Sequence, residues 1–242
     1  MIKNNLLEIK NVSSGYGSTT IVNNFSFEIN SGEILSITGR NGMGKTTLLK
    51  TIMGLIKANS GSIYFKNEDI TKLIPSERSM KGIGYVPQGR EIFSSLTVEQ
   101  NIMLPIFTRK KLKFDVNNNL ENIYDLFPIL RDKKYDNGAS LSGGQQQQLA
   151  IARALIFNPE IIILDEPSEG IQPSIITSIG EILQNLSKKL NMAFIVVEQN
   201  ISFISKLNAN CIVVDKGNYT RKLMALEINS VEKARDLLSL QT

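Results

Sequence analysis

"EILSITGRNGMGKTTLLKTIMGL", residues 33–55, holds the local pattern that decides the fold. Its first part is mostly apolar and reads as a buried strand running into a glycine-rich turn. Its last part has helical spacing, with Leu48, Leu49, Ile52 and Leu55 expected on one face. Between them "GRNGMGKTT", Gly39 to Thr47, fits G-x-x-x-x-G-K-[ST] with the strand before it and the helix after it that this motif requires. Gly39, Gly42 and Gly44 let the chain turn tightly, so that successive N–H groups face one point where phosphate oxygens fit. The helix starting near Lys45 adds free amides and the positive end of its dipole. Lys45 places a charge on β and γ phosphates, and the Thr46 hydroxyl is placed to ligate Mg²⁺. The alternative is a plain glycine-rich turn before a helix.

Such a cradle expects a second metal ligand at the end of a neighbouring buried strand. "EIIILDE", residues 160–166, is an apolar strand closing on two carboxylates. Asp165 sits where a carboxylate holds Mg²⁺ through water, and Glu166 lies one residue further out, towards the nucleotide. The chain has no histidine, so proton-accepting chemistry falls on a carboxylate, a lysine, a tyrosine or water. Glu166 is therefore the candidate to orient or polarise an attacking water. The alternative is a pair of strand-end carboxylates that cap the next helix.

A second glycine pair opens "LSGGQQQQLAIARAL", residues 141–155. Ser142 is a strong N-cap, and the unhindered amides of Gly143 and Gly144 at a helix start make an anion site without a lysine of its own. The glutamines read as helix residues, with Leu149, Ala152 and Ile156 forming the apolar face and Asn158-Pro159 stopping the helix. A low-complexity tract would not run into "LAIARAL".

Elsewhere, "LLEIKNV", "FSFEI", "GSIYF" and "GIGYV" read as strands, so the first 90 residues are strands and turns with one helix. From about Glu91 to Asn158 the pattern is helical: Val98–Leu104, Leu120–Leu130 and Gln145–Phe157. Strand and helix then alternate through Ser174–Leu190, "AFIVVEQ" and "CIVVD", and a final helix spans Val231–Leu240. The fold class is α/β, a mostly parallel sheet with helices on its faces and a helical insertion into that core. Residues 1–242 form one domain: 1–88 and 159–220 make the core, 89–158 the helical subdomain, and 221–242 a terminal strand and helix.

Bulk composition excludes more than it selects. Lys and Arg number 27 against 23 Asp and Glu, a net +4 that makes no case for nucleic acid. Arg109, Lys110, Lys111 and Lys113 form a basic cluster that either is a solvated face or meets anionic lipid or a partner. The single cysteine, Cys211, lies in an apolar run and reads as core, which fits a reducing compartment. "MIKNNLLEIK" lacks the apolar centre of a signal peptide, and no run of about 18 apolar residues is present to span a membrane.

With these motifs in this order, roughly residues 6–220 resemble the ATP-binding cassette (ABC) transporter ATPases, which implies a P-loop NTPase fold with an antiparallel N-terminal β part and an inserted helical signature subdomain. The phosphate loop is Gly39–Thr47, with Arg40, Asn41, Met43 and Thr47 inside it. The glutamine loop is "YVPQ" with Gln88, the signature is "LSGGQ" (141–145), and the acidic strand ends in "LDEP". The resemblance implies that ATP and Mg²⁺ are the cofactors and that Tyr16, in "SGYGS", stacks on the adenine. It implies that Gln88 touches metal and water, and that Ser142, Gly143, Gly144 and Gln145 contact the γ-phosphate of ATP held by another subunit. Where the family usually has a histidine, this chain has Gln199, which donates a hydrogen bond and carries no charge; "VEQN" is similar to the branched-chain amino-acid importer group. "SEGIQPS" and "LSGGQQQQLAIARAL" are most similar to its urea-type members, which implies an ATPase that energises uptake of urea by ATP-driven closure of a pair, with branched-chain amino acids or short amides as the alternative solutes. The resemblance implies two permease subunits, a second similar ATPase (a heterodimer, or a homodimer in isolation), an indirect substrate-binding protein, no nucleic acid, and a peripheral place on the cytoplasmic face of the membrane. A soluble cassette acting on ribosomes or DNA, and a nucleotide switch that barely hydrolyses, are the competing readings.

Overall fold

A computed structural model describes residues 5–107, 115–228 and 230–234. In chain order the strands are β1 (Asn5–Tyr16), β2 (Thr19–Asn30), β3 (Ile34–Thr38), β4 (Ala58–Phe65), β5 (Glu68–Asp69), β6 (Ile83–Val86), β7 (Ile161–Asp165), β8 (Ala193–Val197), β9 (Asn210–Asp215) and β10 (Asn218–Leu223). The helices are α1 (Lys45–Ile52), α2 (Pro75–Met80), α3 (Val98–Phe107), α4 (Val116–Leu126), α5 (Pro128–Asp132), α6 (Gly143–Leu155), α7 (Pro173–Leu190) and α8 (Ile201–Leu207).

Two sheets result. The first is antiparallel with order β2-β1-β4-β5. The second has order β10-β9-β3-β8-β7-β6 and is parallel except for the β9–β10 pair. Its central strands β3, β7 and β8 are buried throughout because both faces are covered. Side chains alternate across the sheet, so Ile162, Leu164, Phe194 and Val196 join the core under α6, α7 and α8. Ile161, Ile163, Ala193, Ile195 and Val197 join the opposite core, shared with α1 and the antiparallel sheet. Cys211 is buried in a third, smaller cluster with Val213 and Leu223, and burial pushes its thiol up to about 12.

Several expectations need correction. Helix α1 ends at Ile52, and the chain turns at Gly54 in a left-handed conformation. Leu55 is therefore exposed rather than on the buried face. The expected helix Leu120–Leu130 is two helices. Phe127 leaves helical geometry (φ −130°, ψ 73°) and Pro128, without an amide hydrogen, starts a new helix. A short helix, α2, lies within the first 90 residues, where one helix was expected. Residues 231–234 are helical, and the rest of the expected Val231–Leu240 helix lies outside the described residues, as does the basic cluster 109–113. No helix among the described residues is long and apolar enough to cross a membrane.

Helix α2 locks the end of α1 through Arg78. Its buried guanidinium donates to Thr51 O (2.9 Å), Ile52 O (2.6 Å), Thr71 O (2.7 Å) and Leu73 O (3.0 Å). The first two lie at a helix C-terminus, where a cation is favoured by the dipole, and Thr51 O also accepts from Gly54 N (3.0 Å). Burial lowers the Arg78 pKa to about 10. Replacement by alanine removes a charged donor from all four carbonyls. Arg78→Ala is expected to lower stability by about 3 kcal/mol or more, read as a drop in the urea unfolding midpoint; an unchanged midpoint counts against this cap.

Candidate functional site

Strands β3, β6, β7 and β8 are parallel, so their C-terminal ends open on one edge of the sheet, where α/β folds place their sites. Register makes the ends level: Ile37 faces Val197, Asp165 faces Val197, and Val86 faces Leu164. The segments leaving that edge carry residues 39–47, Gln88, Asp165–Glu166 and Glu198–Asn200.

The loop after β3 wraps around Lys45. Gly39 passes so close to β9 that a Cβ there would lie 2.2 Å from Val214 O, and Gly44 caps α1 in a left-handed conformation (φ 92°). Lys45 is 4% exposed, and its ammonium donates to Gly39 O (2.7 Å) and Arg40 O (2.9 Å). It stands 3.8 Å from Glu166 Oε1. Burial lowers its pKa, and the charges of Glu166, Asp165 and Glu198 oppose that shift. Met43 is tied to the turn after β9, its carbonyl accepting from Gly217 N (3.0 Å).

Thr46 Oγ1 donates to Asp165 Oδ1 at 3.3 Å. Asp165 Oδ2 is buried and has no partner in the protein. Burial raises the Asp165 pKa to about 6, with the Thr46 hydrogen bond opposing it and the Glu166 charge adding to it. An unsatisfied buried carboxylate oxygen beside a hydroxyl is a hard-oxygen pair that suits a hard divalent cation. No cluster of three or more His, Cys, Asp or Glu suited to a metal occurs among the described residues. The remaining ligands of a cation here would be oxygens of a bound molecule or water.

Glu166 leaves β7 in a left-handed conformation (φ 49°), its amide donating to Val197 O (2.9 Å). That turn aims its carboxylate at the loop. Gln199 Nε2 donates to Glu166 Oε1 and to Asn41 Oδ1 (2.7 Å), and Gln88 Nε2 lies 3.4 Å from Glu166 Oε2. The structure thus gathers Asn41, Lys45, Thr46, Gln88, Asp165, Glu166 and Gln199 at one point.

Ser142, Gln145 and Tyr16 make no side-chain hydrogen bond to that group among the described residues. Ser142 caps α6 reciprocally with Gln145: Ser142 N donates to Gln145 Oε1 (2.9 Å), and Gln145 N donates to Ser142 Oγ (3.4 Å). Among the described residues, the side-chain hydrogen bonds of this pair stay within the segment. Gly144 packs on α7, where a Cβ would meet Ile175 Cδ1 at 2.3 Å. Tyr16 ends β1 with about half of its surface exposed.

Two residues escaped the sequence reading. Glu198 is buried and accepts from Ser168 N (3.1 Å), Gln199 N (2.8 Å) and Asn200 N (2.9 Å). Burial pushes its pKa up and these hydrogen bonds hold it down. Its one signal was a charge closing the apolar run "AFIVV". Arg90, just past Gln88, reaches both α6 and the turn after Glu166. Beyond this segment a cleft of about 310 Å³ opens between the sheet and the helical subdomain, lined by Ser76, Met80, Tyr85, Pro105, Arg153 and Phe157.

Comparison with known proteins follows the same lines. A family model described as ABC transporter matches residues 22–169. The chain is 37% identical to the high-affinity branched-chain amino acid transport ATP-binding protein BraG of Pseudomonas aeruginosa, covering 96% of this chain and 98% of that one. It is 32% identical to the probable branched-chain amino acid transport ATP-binding protein LivF of Archaeoglobus fulgidus, covering 96% and 98%. Among solved structures, a dimeric bacterial ABC transporter cassette superposes with a TM-score of 0.81 at 28% identity, covering 90% of this chain and 98% of that one.

The loop's dependence on glycine is open to measurement. Gly42 also has a left-handed φ (79°), but a Cβ there would meet nothing within 4 Å. Gly42→Ala is expected to cost about 1 kcal/mol of backbone strain, while Gly39→Ala costs clearly more through its collision with Val214 O. Equal losses in denaturant unfolding would refute the close approach of β3 and β9.

Proposed function

The chain belongs to the ABC transporter family and is an ATPase, and on that premise we propose that it drives an importer as one of a pair of cassettes. The observation that carries the reading is the convergence of Lys45, Gln88 and Gln199 on Glu166, beside the Thr46–Asp165 pair. The amides of Gly39–Thr47 and the Lys45 ammonium hold the triphosphate. The Tyr16 ring lies under the adenine. Thr46, Asp165 and Gln88 would hold Mg²⁺, which would supply charge neutralisation to the triphosphate. Glu166 orients and polarises the attacking water, and Gln199 holds Glu166 as a neutral donor. Ser142–Gln145 cover the γ-phosphate of ATP seated in the second cassette. Two things support that last assignment: the signature keeps its side-chain hydrogen bonds to itself, and a dimeric cassette of the same fold exists.

The second cassette is a similar ATPase in a heterodimer, or a second copy in isolation. Two permease subunits dock on the helical subdomain after Gln88, in the cleft between α2 and α6, and a substrate-binding protein delivers the solute to them. The chain thereby sits peripherally on the cytoplasmic face of the membrane. The solute is a branched-chain amino acid, as the printed names of BraG and LivF suggest, or urea, as "LSGGQQQQLAIARAL" and "SEGIQPS" suggest. Cells lacking this chain are expected to lose uptake of labelled leucine or of labelled urea; retention of both sinks the importer reading.

Lys45→Ala is expected to weaken ATP binding about tenfold or more while the circular dichroism spectrum stays unchanged. Full retained affinity in an equilibrium titration refutes the cradle. Ser142→Arg is expected to abolish ATP-driven pairing, best read by light scattering in a Glu166→Gln background that traps the closed state. ATP affinity of the isolated chain should stay within about twofold. A parallel loss of affinity would assign the signature to its own chain's nucleotide.

A further inference from the structure

Three consecutive residues after Gln88 have left-handed backbones: Gly89 (φ 79°), Arg90 (φ 70°) and Glu91 (φ 45°). Two of them carry a Cβ, which disfavours that region. The turn is held by what Arg90 grips. Its Nη2 donates to Glu169 O at 2.9 Å, in the turn that follows Glu166. Its Nη1 lies 3.4 Å from Gln146 Oε1, in the first turn of α6. Its carbonyl accepts from Arg153 Nη2 at 3.1 Å, further along α6. Gln88 adds a parallel tie, donating to Glu169 Oε2 at 3.1 Å.

Glycine at the signature is what makes room for this grip. A Cβ on Gly143 would lie 3.2 Å from Arg90 Nη1 and 3.5 Å from Gly170 O. The guanidinium therefore lies between the start of α6 and the 167–170 turn, in contact with both. A planar guanidinium with donors on two nitrogens suits acceptors on separate segments.

We propose that Arg90 is a positioning residue, a latch whose guanidinium fastens the start of the signature helix to the turn following Glu166. The lid offered to a partner's triphosphate and the loop bearing this chain's own water-activating carboxylate then move as one body. The helical subdomain cannot swing without carrying residues 167–170 with it. This consequence for turnover rests on the proposed function; the latch itself does not.

Hydrogen–deuterium exchange on the full chain, without nucleotide, tests the latch directly. In Arg90→Ala the amides of 143–146 and of 168–170 are expected to exchange faster together, by about tenfold, while those of Gly39–Thr47 hold. Arg90→Lys keeps the charge and loses the fork, so it should loosen both segments as alanine does. Wild-type protection in Arg90→Lys, or loosening of only one segment, overturns the proposal. For turnover, both variants should lower kcat about tenfold with KM for ATP within about twofold; a loss led by KM also overturns it. Ser142→Arg run in parallel separates the two ideas. If that variant still pairs with ATP the signature reading fails, and the exchange result still decides the latch.

Discussion

Parallel register is the constraint on which the site depends. Thr46 and Asp165 lie 119 residues apart, and Asn41 and Gln199 lie 158 apart, yet each pair is within hydrogen-bonding distance. This happens because β3, β7 and β8 pair residue for residue and stop level with one another. A slip of one residue in β7 would exchange its two faces and move Ile162 and Leu164 out of their core. The burial that specifies the fold therefore also specifies where two carboxylates and a glutamine meet the loop. No separate energetic term is needed to assemble them.

The local charge balance is unusual for so small a space. Asp165, Glu166 and Glu198 surround the Lys45 ammonium, and burial acts against the charged forms of Asp165, Glu198 and Lys45. The neutral amides of Gln88 and Gln199 supply donors without adding charge. Glu198 shows how a carboxylate is tolerated there: three backbone N–H groups converge on it, tying the end of β8 to the turn at Ser168. In an ATPase that must admit a polyanion, Lys45 carries countercharge that the strand ends lack.

Legibility in the sequence followed the range of the forces. The phosphate loop, the acidic strand end and the Ser142 cap are local patterns, each complete within about ten residues, and all could be read in advance. So could the mostly parallel sheet, from apolar strands alternating with helices. Glu198 was hidden because a charge ending a buried strand is the commonest way for a strand to end. Arg90 was hidden because its acceptors lie 56 and 79 residues downstream. Leu55 and Pro128 failed for a different reason: hydrophobic period continued through a glycine and a proline whose backbone demands overrode it. Helix α2 is too short to carry a period, and its existence depends on the carbonyls that Arg78 satisfies.

The left-handed backbone of Glu166 has one more consequence. A glutamate is a poor occupant of that conformation, disfavoured by about 1–2 kcal/mol relative to what glycine would need there. Asparagine, which visits it readily, occupies comparable positions at 11, 24, 67, 158, 191 and 208. The turn that aims the Glu166 carboxylate at the loop is therefore itself a seat of backbone strain, which an asparagine or a glycine at that corner would relieve.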